Sequence, residues 1–162
     1  MNVFEFVFVS VNGARMPLSN YQGQPLFIVN TASECEYTPQ YTALQRIWMD
    51  YKQSGLVVIG IPCDDFGHKE PSDEDAIAEF CETNYQVNFP MTGKYNLMGI
   101  SAHPMVHTIR EEFGDDAVPR WNFHKYLFDR TGQMIGFWRS DVTPNDPAIT
   151  HQIECNLQSW VL

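Results

Sequence analysis

Hydrophobic and polar residues alternate at the start of the chain and give way to continuous apolar runs further on. The alternation over Val3–Val11 is typical of a half-buried strand, and the Asn12-Gly13 pair that follows is a strong signal for a hairpin turn. The runs Pro25–Val29 and Leu56–Pro62 have the length and composition of strands buried on both faces. The pattern therefore predicts an N-terminal β-hairpin followed by two interior strands.

A helix is predicted between the two interior strands. Thr38 and Pro39 are predicted to be its N-cap and its first residue, and Gly55 to end it. Apolar side chains recur between them at helical spacing, at Tyr41, Leu44, Ile47, Trp48 and Tyr51. A strand–helix–strand unit of this kind gives a parallel strand pair joined by a right-handed crossover.

Further helices and a second hairpin are predicted in the rest of the chain. Ser72 and Asp75 resemble a capping box for a helix that continues to about Asn84. The remaining predicted elements are a short helix over Pro104–Glu112, a hairpin of Trp121–Phe128 with Met134–Trp138, and an amphipathic helix over Pro144–Val161. One face of that last helix is predicted to carry Ile149, Ile153, Leu157 and Trp160. This order predicts an α/β chain with a thioredoxin-like fold, a central mixed sheet flanked by helices and an N-terminal β-hairpin.

Composition and charge narrow the classes of function. The 162 residues include 44% hydrophobic and 19% charged residues, and no repeat or linker divides them, so a single domain over 1–162 is expected. A formal charge of −10 disfavours sequence-independent binding to nucleic acid, which requires Lys and Arg against the phosphates. Apolar stretches fall far short of the roughly 20 residues of a membrane span, and the first residues lack the features of a secretory signal. We therefore expect a cytoplasmic protein without membrane insertion.

Cysteine is the candidate reactive residue type. The four cysteines are widely spaced, without a CxxC pair or a histidine cluster, so no structural metal is expected. Cys35 lies just after one interior strand and just before a helix, at the sheet edge where α/β proteins place their sites. The partial positive charge of a helix N-terminus stabilises a thiolate, which is the reactive form. By position alone, a buried structural cysteine fits equally well.

Several separate motifs resemble one known family. The chain reads VNTASECEYTPQY from Val29, and then GIPCDDFGHKEP, EFCETNY, FPM and RWNF. In this order and spacing the motifs resemble the glutathione peroxidase family over nearly the whole chain. The resemblance is to its small cysteine-containing members, which lack the assembly insertion of the tetrameric members, and it implies a monomer. It further implies an antioxidant thiol peroxidase that reduces hydrogen peroxide and organic or lipid hydroperoxides without a metal or organic cofactor.

The resemblance also implies roles for individual residues. Cys35 would be the peroxidatic cysteine, which attacks the peroxide and becomes a sulfenic acid. Trp121 and Asn122 would hydrogen-bond the reacting sulfur, although core packing and a turn are their ordinary roles. Cys81 would be the resolving cysteine of thioredoxin-dependent members. A disulfide needs α-carbons within about 7 Å, so Cys81, otherwise a core residue beside Phe80, would require a local rearrangement.

The other two cysteines receive no chemical role. Cys63 matches a family cysteine that is buried at a strand end, and Cys155 is expected to pack from the last helix.

The chain departs from the family pattern at Lys69, where glutamine is usual. A charged donor stabilises a thiolate more strongly than a neutral one, so Lys69 would lower the pKa of Cys35 if it reached the sulfur. Alternatively, Lys69 points into solvent and the site has lost a donor. Both interpretations are open at the level of the sequence.

The second departure from the family pattern is a set of additional acidic residues. Glu34 and Glu36 flank Cys35, and Asp64-Asp65 stand where Asn-Gln is usual. Nearby carboxylates oppose thiolate formation and repel an anionic thiol such as glutathione. Thioredoxin is therefore the expected reductant, with glutathione as the second candidate. Two other functions are open: a redox relay that passes oxidation to a partner protein, and a binding module that has lost the chemistry.

Overall fold

The computed structural model describes residues 1–158 of the chain. Its strands are β1 (Val7–Val9), β2 (Arg15–Pro17), β3 (Leu26–Thr31), β4 (Val57–Pro62), β5 (Lys125–Phe128) and β6 (Met134–Trp138). Its helices are α1 (Gln40–Tyr51), α2 (Glu74–Tyr85), α3 (Pro104–Phe113) and α4 (Pro147–Gln158). The order of elements is the one that the sequence predicts.

The central sheet is mixed and has the strand order β4–β3–β5–β6. β3 and β4 are parallel, with Leu26 opposite Val57 and Thr31 opposite Pro62. β5 is antiparallel to β3, and β6 is antiparallel to β5. β1 and β2 form a separate antiparallel hairpin. These pairings confirm the predicted mixed sheet, the parallel crossover and the N-terminal hairpin.

Successive side chains of β3 enter two different cores. Leu26 and Ile28 pack on one face of the sheet with the hairpin and α3, whereas Phe27 and Val29 pack on the other with α1, α2 and α4. All six residues of β3 are buried, as are all six of β4. Cover on both faces explains why these two strands are continuous apolar runs instead of alternating ones.

The first predicted strand is shorter than expected. Val3–Glu5 forms a turn of 3-10 helix, in which the Asn2 side chain accepts the N–H of Phe4 at 3.0 Å. The N–H of Val3 donates to the carbonyl of Gly132 at 3.0 Å, and Val3 is fully buried. This contact with the distant β5–β6 turn, which local alternation cannot indicate, limits the strand to β1.

Both predicted helix caps differ in detail. The carboxylate of Asp73 accepts the N–H of Ala76 at 2.9 Å, so Asp73 rather than Ser72 is the N-cap of α2. α1 begins at Gln40 without a side-chain cap, because the hydroxyl of Thr38 is used inside the preceding loop. A polar residue near a helix start therefore caps the helix only if the approaching chain leaves its side chain free.

The predicted β5 strand begins too early, since residues 121–124 form a turn. Phe123 lies in the left-handed region with φ of 64°. Asn30, at the end of β3, fastens this turn: its side-chain N–H donates to the carbonyl of Trp121 at 3.0 Å, and its side-chain oxygen accepts from the N–H of His124 at 2.9 Å. The turn thus ties residues 121–124 to the edge of the sheet.

The closing helix begins at Pro147 rather than Pro144. Ile149, Ile153 and Leu157 are buried as predicted. Trp160 and Val161 of the predicted helix lie outside the described residues. None of the helices within residues 1–158 is long and apolar enough to cross a membrane. That residues 1–162 form a single domain stays a prediction.

Candidate active site

Cys35 lies in a loop of tight turns between β3 and α1. The hydroxyl of Thr38 accepts the N–H of Cys35 at 2.9 Å and donates to the carbonyl of Ala32 at 2.9 Å. The carbonyl of Cys35 accepts the N–H of Thr38 at 3.0 Å. The Thr38 side chain therefore holds Cys35 just past the carboxyl end of β3, and leaves the residue 7% exposed.

The sulfur of Cys35 has contacts of opposite electrostatic effect. The N–H of Tyr37 donates to Sγ at 3.4 Å, and the thiol donates to Oε2 of Glu36 at 3.4 Å. Burial raises the pKa of Cys35, and the Glu36 carboxylate adds to this rise. The Tyr37 N–H and the side-chain amide of Asn122 act in the opposite direction and lower the pKa. Glu34 is exposed and is not among the groups that shift this pKa.

Asn122 acts on the Cys35 thiol, whereas Trp121 acts on the neighbouring Glu36 carboxyl. Asn122 is fully buried, and its Nδ2 donates to the carbonyl of Phe66 at 3.1 Å. Its Oδ1 and the Nε1 of Trp121 are buried without a hydrogen-bond partner at bonding distance. The indole N–H is nevertheless close enough to Glu36 to help lower the pKa of that carboxyl, after its own backbone N–H and the Cys35 thiol. A hydrogen bond from Trp121 to the sulfur itself stays a prediction.

Gly67 is a site residue that the sequence alone does not indicate. It has φ of +75°, and a Cβ built on it would lie 2.6 Å from Cη2 of Trp121. The indole ring therefore packs directly against the backbone of the 64–70 loop, and only glycine leaves it room. The same loop supplies the Phe66 carbonyl that holds Asn122.

Lys69 is half-buried in that loop and acts on a neighbour of the thiol. Its carbonyl accepts the N–H groups of Ser33 and Glu34 at 3.1 and 2.9 Å, which joins the two loops. Its positive charge contributes to the lowered pKa of Glu36. Within residues 1–158, no hydrogen bond joins Lys69 Nζ to Cys35 Sγ, so a direct role on the sulfur stays a prediction.

The predicted acidic rim is smaller than the sequence suggests. Asp65 accepts the N–H groups of Leu97 and Met98 at 2.8 and 3.1 Å. Asp64 accepts the N–H of Glu70 at 3.0 Å. Both carboxylates therefore serve the chain's own backbone, because the turns of this loop leave amide groups that need acceptors.

Cys81 lies in α2 and is 2% exposed. Burial raises its pKa to about 11, an effect that the Tyr41 hydroxyl opposes. Cys35 and Cys81 are both free thiols, so the reduced protein holds the predicted resolving cysteine in its core. The structure brings Asn122 to Cys35 and Trp121 to the neighbouring Glu36, whereas Cys81 is packed in the core of α1, α2 and α4.

The other two cysteines differ from each other. Cys63 is fully buried after β4 as expected, and burial raises its pKa to about 12. Cys155 is exposed, with its sulfur 3.6 Å from Nε2 of His151, so the prediction that it packs is wrong. The buried face of α4 carries Ile153 and Leu157, and Cys155 points away from it. No group of three or more metal-ligating side chains occurs in the described part of the chain.

An open cavity of about 330 Å³ adjoins the Cys35 loop. Glu36, Tyr37 and Trp121 form its side nearest the thiol, and Arg120 and Arg139 form part of the rest. Both arginines are already engaged at Asp116, through its carboxylate and its carbonyl. The cavity thus borders two residues that follow Cys35 in the loop, with a largely polar lining.

Comparisons with known proteins find relatives that match most of the chain. The chain is 38% identical over 150 residues to the glutathione peroxidase homologue BsaA of Bacillus subtilis, which covers 90% of this chain and 93% of that protein. It is 38% identical over 135 residues to the glutathione peroxidase-like peroxiredoxin gpx1 of Schizosaccharomyces pombe, covering 82% and 85%. It is 35% identical over 154 residues to the hydroperoxy fatty acid reductase gpx1 of Synechocystis, covering 90% and 91%.

Solved structures give the same result. The crystal structure of Trgpx in apo form matches with a TM-score of 0.77 at 30% identity, over 98% of this chain and 97% of the other. The crystal structure of T. cruzi GPX1 matches with a TM-score of 0.75 at 28% identity, over 98% of this chain and 97% of the other. Thioredoxin-family structures under 20% identical, such as a thiol:disulfide interchange protein of Chlorobium tepidum at 15%, share the fold. Residues 3–110 match the sequence profile described as glutathione peroxidase, and the chain belongs to the glutathione peroxidase family of peroxidases.

Proposed function

We propose that the chain is a thiol peroxidase in which Cys35 reduces hydrogen peroxide and organic hydroperoxides, Cys81 resolves the sulfenic acid, and thioredoxin restores both thiols. The observation that carries the proposal is the set of donors around one sulfur: the Tyr37 N–H at 3.4 Å and the Asn122 amide, with the unpartnered indole N–H of Trp121 close by. Donors placed before the reaction stabilise charge without reorganising.

The first step transfers one oxygen atom to sulfur. The Cys35 thiol gives its proton to the Glu36 carboxylate, which already accepts its hydrogen bond at 3.4 Å. The thiolate attacks the distal peroxide oxygen, the O–O bond breaks, and the leaving oxygen takes the proton back from Glu36 as water or alcohol. Cys35 is left as a sulfenic acid. The N–H groups of Tyr37, Asn122 and Trp121 hold the negative charge that moves from sulfur to oxygen.

Lys69 supports this step through Glu36. Its charge stabilises the Glu36 carboxylate and so weakens the opposition of that carboxylate to a thiolate at Cys35. Where the family usually has glutamine, this chain has Lys69, which acts on the Glu36 carboxyl and not directly on the sulfur.

The second half of the cycle uses Cys81. Its thiol condenses with the Cys35 sulfenic acid, water leaves, and the resulting disulfide is reduced by a dithiol protein. Because Cys81 is buried in α2, this step includes a movement of that helix. The name peroxiredoxin of the fission yeast relative supports a thiol-dependent cycle of this kind. Glu36, exposed beside the sulfur, disfavours the anionic thiol glutathione as reductant.

Organic hydroperoxides fit the open approach to the site. The cavity of about 330 Å³ beside Trp121 leaves space for an alkyl chain. The Synechocystis relative is named a hydroperoxy fatty acid reductase, which supports fatty acid hydroperoxides as one substrate class. A role in the response to oxidative stress follows from this activity. A cytoplasmic location and a monomeric state stay predictions from the sequence.

The test is peroxide-dependent oxidation of NADPH with thioredoxin and thioredoxin reductase, in parallel with glutathione and its reductase. Turnover with thioredoxin is expected for the wild type and not for Cys35→Ser or Cys81→Ser. Single oxidation without turnover, together with a mixed disulfide to a second protein, would favour the redox relay instead. Slow alkylation of Cys35 without sulfenic acid formation would identify the binding module.

A further inference from the structure

The helix α2 is held in the fold by few buried side chains. Of its twelve residues only Ile77 and Cys81 are buried, whereas α1, which has the same length, buries five. One of the two anchors is therefore the cysteine that has to reach Cys35 in the proposed cycle. Segments with few buried contacts open at a low cost in free energy, so the remaining contacts of α2 determine how often Cys81 is released.

The C-terminal end of α2 carries a strained residue. Gln86 has φ of 55°, in the left-handed region that is unfavourable for a residue with a Cβ atom. Two hydrogen bonds keep this turn: the N–H of Val87 donates to the carbonyl of Cys81 at 3.1 Å, and the N–H of Gln86 donates to the carbonyl of Glu82 at 3.0 Å. The cap that ends α2 therefore closes on Cys81 itself.

A pair of hydrogen bonds fastens the chain just after this cap to α1. Gln45 lies in α1 and is 8% exposed. Its Nε2 donates to Oδ1 of Asn88 at 2.8 Å, and its Oε1 accepts the backbone N–H of Asn88 at 3.1 Å. Both polar ends of one buried amide thus bind a single residue, two positions after Gln86. This pair of bonds is called the Gln45–Asn88 latch.

The chain on either side of α2 is fixed, and these fixed points bound the segment that can open. After the latch, the carbonyl of Pro90 accepts the N–H of Gly60 in β4 at 3.0 Å. Before α2, Lys94 Nζ donates to the carbonyl of Ser72 at 3.0 Å. Residues 73–89 lie between the two points and include the resolving cysteine, and the latch lies at the C-terminal end of this segment.

We propose that the Gln45–Asn88 latch sets the rate of disulfide formation, because it has to open before the last turns of α2 unwind and bring Cys81 to the Cys35 sulfenic acid. The inference rests on the proposed function, since it concerns the resolving step of that cycle. In the opened state the Cys81 sulfur attacks the sulfenic sulfur, the S–S bond forms, the S–O bond breaks, and the leaving oxygen takes the thiol proton and departs as water. Gln45 acts through the position of α2 and is therefore a positioning residue.

The surroundings of Asn88 suit a contact that opens and closes. Asn88 is exposed, so water can replace Gln45 at its side chain and its backbone N–H when the pair separates. A hydrogen bond that exchanges with water changes an equilibrium constant by about two- to tenfold. The latch therefore keeps α2 closed most of the time without preventing its release.

The experiment is a single turnover with hydrogen peroxide, in which sulfenic acid formation and disulfide formation are timed separately by rapid quenching. Gln45→Met keeps the length and the helix propensity of the side chain but makes neither hydrogen bond. Its disulfide formation is expected to be about tenfold faster than in the wild type, with sulfenic acid formation unchanged. Gln152→Met makes the same change at an exposed position of α4 and should follow the wild type.

A second variant is expected to act in the opposite direction. Gln86→Gly relieves the strain of the left-handed residue and stabilises the end of α2, so disulfide formation should be slower by a few-fold. Amide hydrogen exchange measures the same opening. Exchange of the α2 amides should be faster than in the wild type for Gln45→Met and slower for Gln86→Gly, with the α1 amides unaffected.

The opposite signs of the two effects distinguish the latch from a merely structural role, which would slow both steps in Gln45→Met or leave both unchanged. Equal or slower disulfide formation in Gln45→Met, or equal or faster formation in Gln86→Gly, overturns the inference alone. If the wild type forms sulfenic acid but never a Cys35–Cys81 disulfide, the proposed cycle and the inference both fail.

Discussion

The Cys35 loop and the α2 helix each bury a cysteine thiol, but they differ in the backbone N–H groups that the thiol can meet. Both thiols are almost fully buried, and burial raises both pKa values. In the loop, however, the N–H of Tyr37 is free to point at sulfur. In the middle of α2 the backbone N–H groups are bonded to carbonyls of the preceding turn, so they are not available to the sulfur of Cys81.

A thiol in irregular backbone can gain amide donors that a helix consumes internally. We propose that this difference lets Cys35 react first with peroxide, whereas Cys81 reacts only after α2 has moved. The following predictions test this contrast.

The largest effect is expected from Cys35→Ser, which removes the reacting sulfur. Peroxidase activity is expected to fall at least about 1,000-fold, since removal of a nucleophile leaves only binding. Cys63→Ser is the matched control, because Cys63 is equally buried but has a pKa of about 12. Comparable losses in the two variants would contradict the proposal that Cys35 is the reacting residue.

Asn122→Ala removes a donor while the cysteine stays in place. We expect the rate of sulfenic acid formation to fall about 100-fold and the pKa of Cys35 to rise, because the amide stabilises negative charge on sulfur. The pH dependence of iodoacetamide alkylation reports this pKa. Asn96→Ala, at an exposed position, is the control for loss of an amide. An unchanged alkylation profile would show that Asn122 is only a turn residue.

Glu70→Gln is expected to change stability with pH. Burial raises the pKa of Glu70 from 4.5 to about 7, so the folded chain prefers the protonated carboxyl. This group stabilises the fold most below about pH 4.5, and the stabilisation is lost as the pH rises through 7. The loss corresponds to about 3 kcal/mol of the free energy of unfolding at pH 8.

The glutamine variant cannot ionise and should avoid this loss. Urea unfolding at pH 5 and pH 8 is therefore expected to show a smaller decrease for Glu70→Gln than for wild type. Glu79→Gln makes the same change at an exposed position of α2 and should follow the wild type. The same decrease in the free energy of unfolding from pH 5 to pH 8 in all three proteins would mean that the fold does not raise the pKa of Glu70.

Gly67→Ala tests the support beneath Trp121. Alanine at φ of +75° costs about 1 kcal/mol in itself, and its Cβ would meet the indole ring at 2.6 Å. Gly99→Ala is a matched control, with φ of +74° and no atom within 4 Å of the new Cβ. We expect about 1 kcal/mol of destabilisation for Gly99→Ala, and a larger value with slower peroxide reduction for Gly67→Ala. Equal effects would show that the ring position is unimportant.

The smallest effect is expected at Lys69. If it acts through Glu36, then Lys69→Gln and Lys69→Ala should slow sulfenic acid formation a few-fold in the wild-type background. Neither change should have an effect in a Glu36→Gln background, since coupled residues are non-additive. An additive double variant would indicate that Lys69 contacts the sulfur directly.

The sequence by itself determined the order of elements and the candidate reactive cysteine. Continuous apolar runs predicted β3 and β4 because strands covered on both faces need no polar side. Family motifs pointed to Cys35, Trp121 and Asn122, and the structure places Asn122 at the Cys35 thiol and Trp121 at Glu36. Local signals suffice where a residue's role follows from its immediate neighbours.

Only the tertiary structure decided the features that depend on contacts between distant segments. The burial of Val3 against Gly132 shortened β1, and the use of Thr38 inside the Cys35 loop moved the start of α1. Cys155 lies in solvent because the orientation of α4 about its axis buries Ile153 and Leu157 instead. The hydrogen bond from Ser33 to Glu70 joins two distant segments, and no spacing along the chain encodes it. Packing selects such contacts, because they require side chains that meet only after the sheet and helices have assembled.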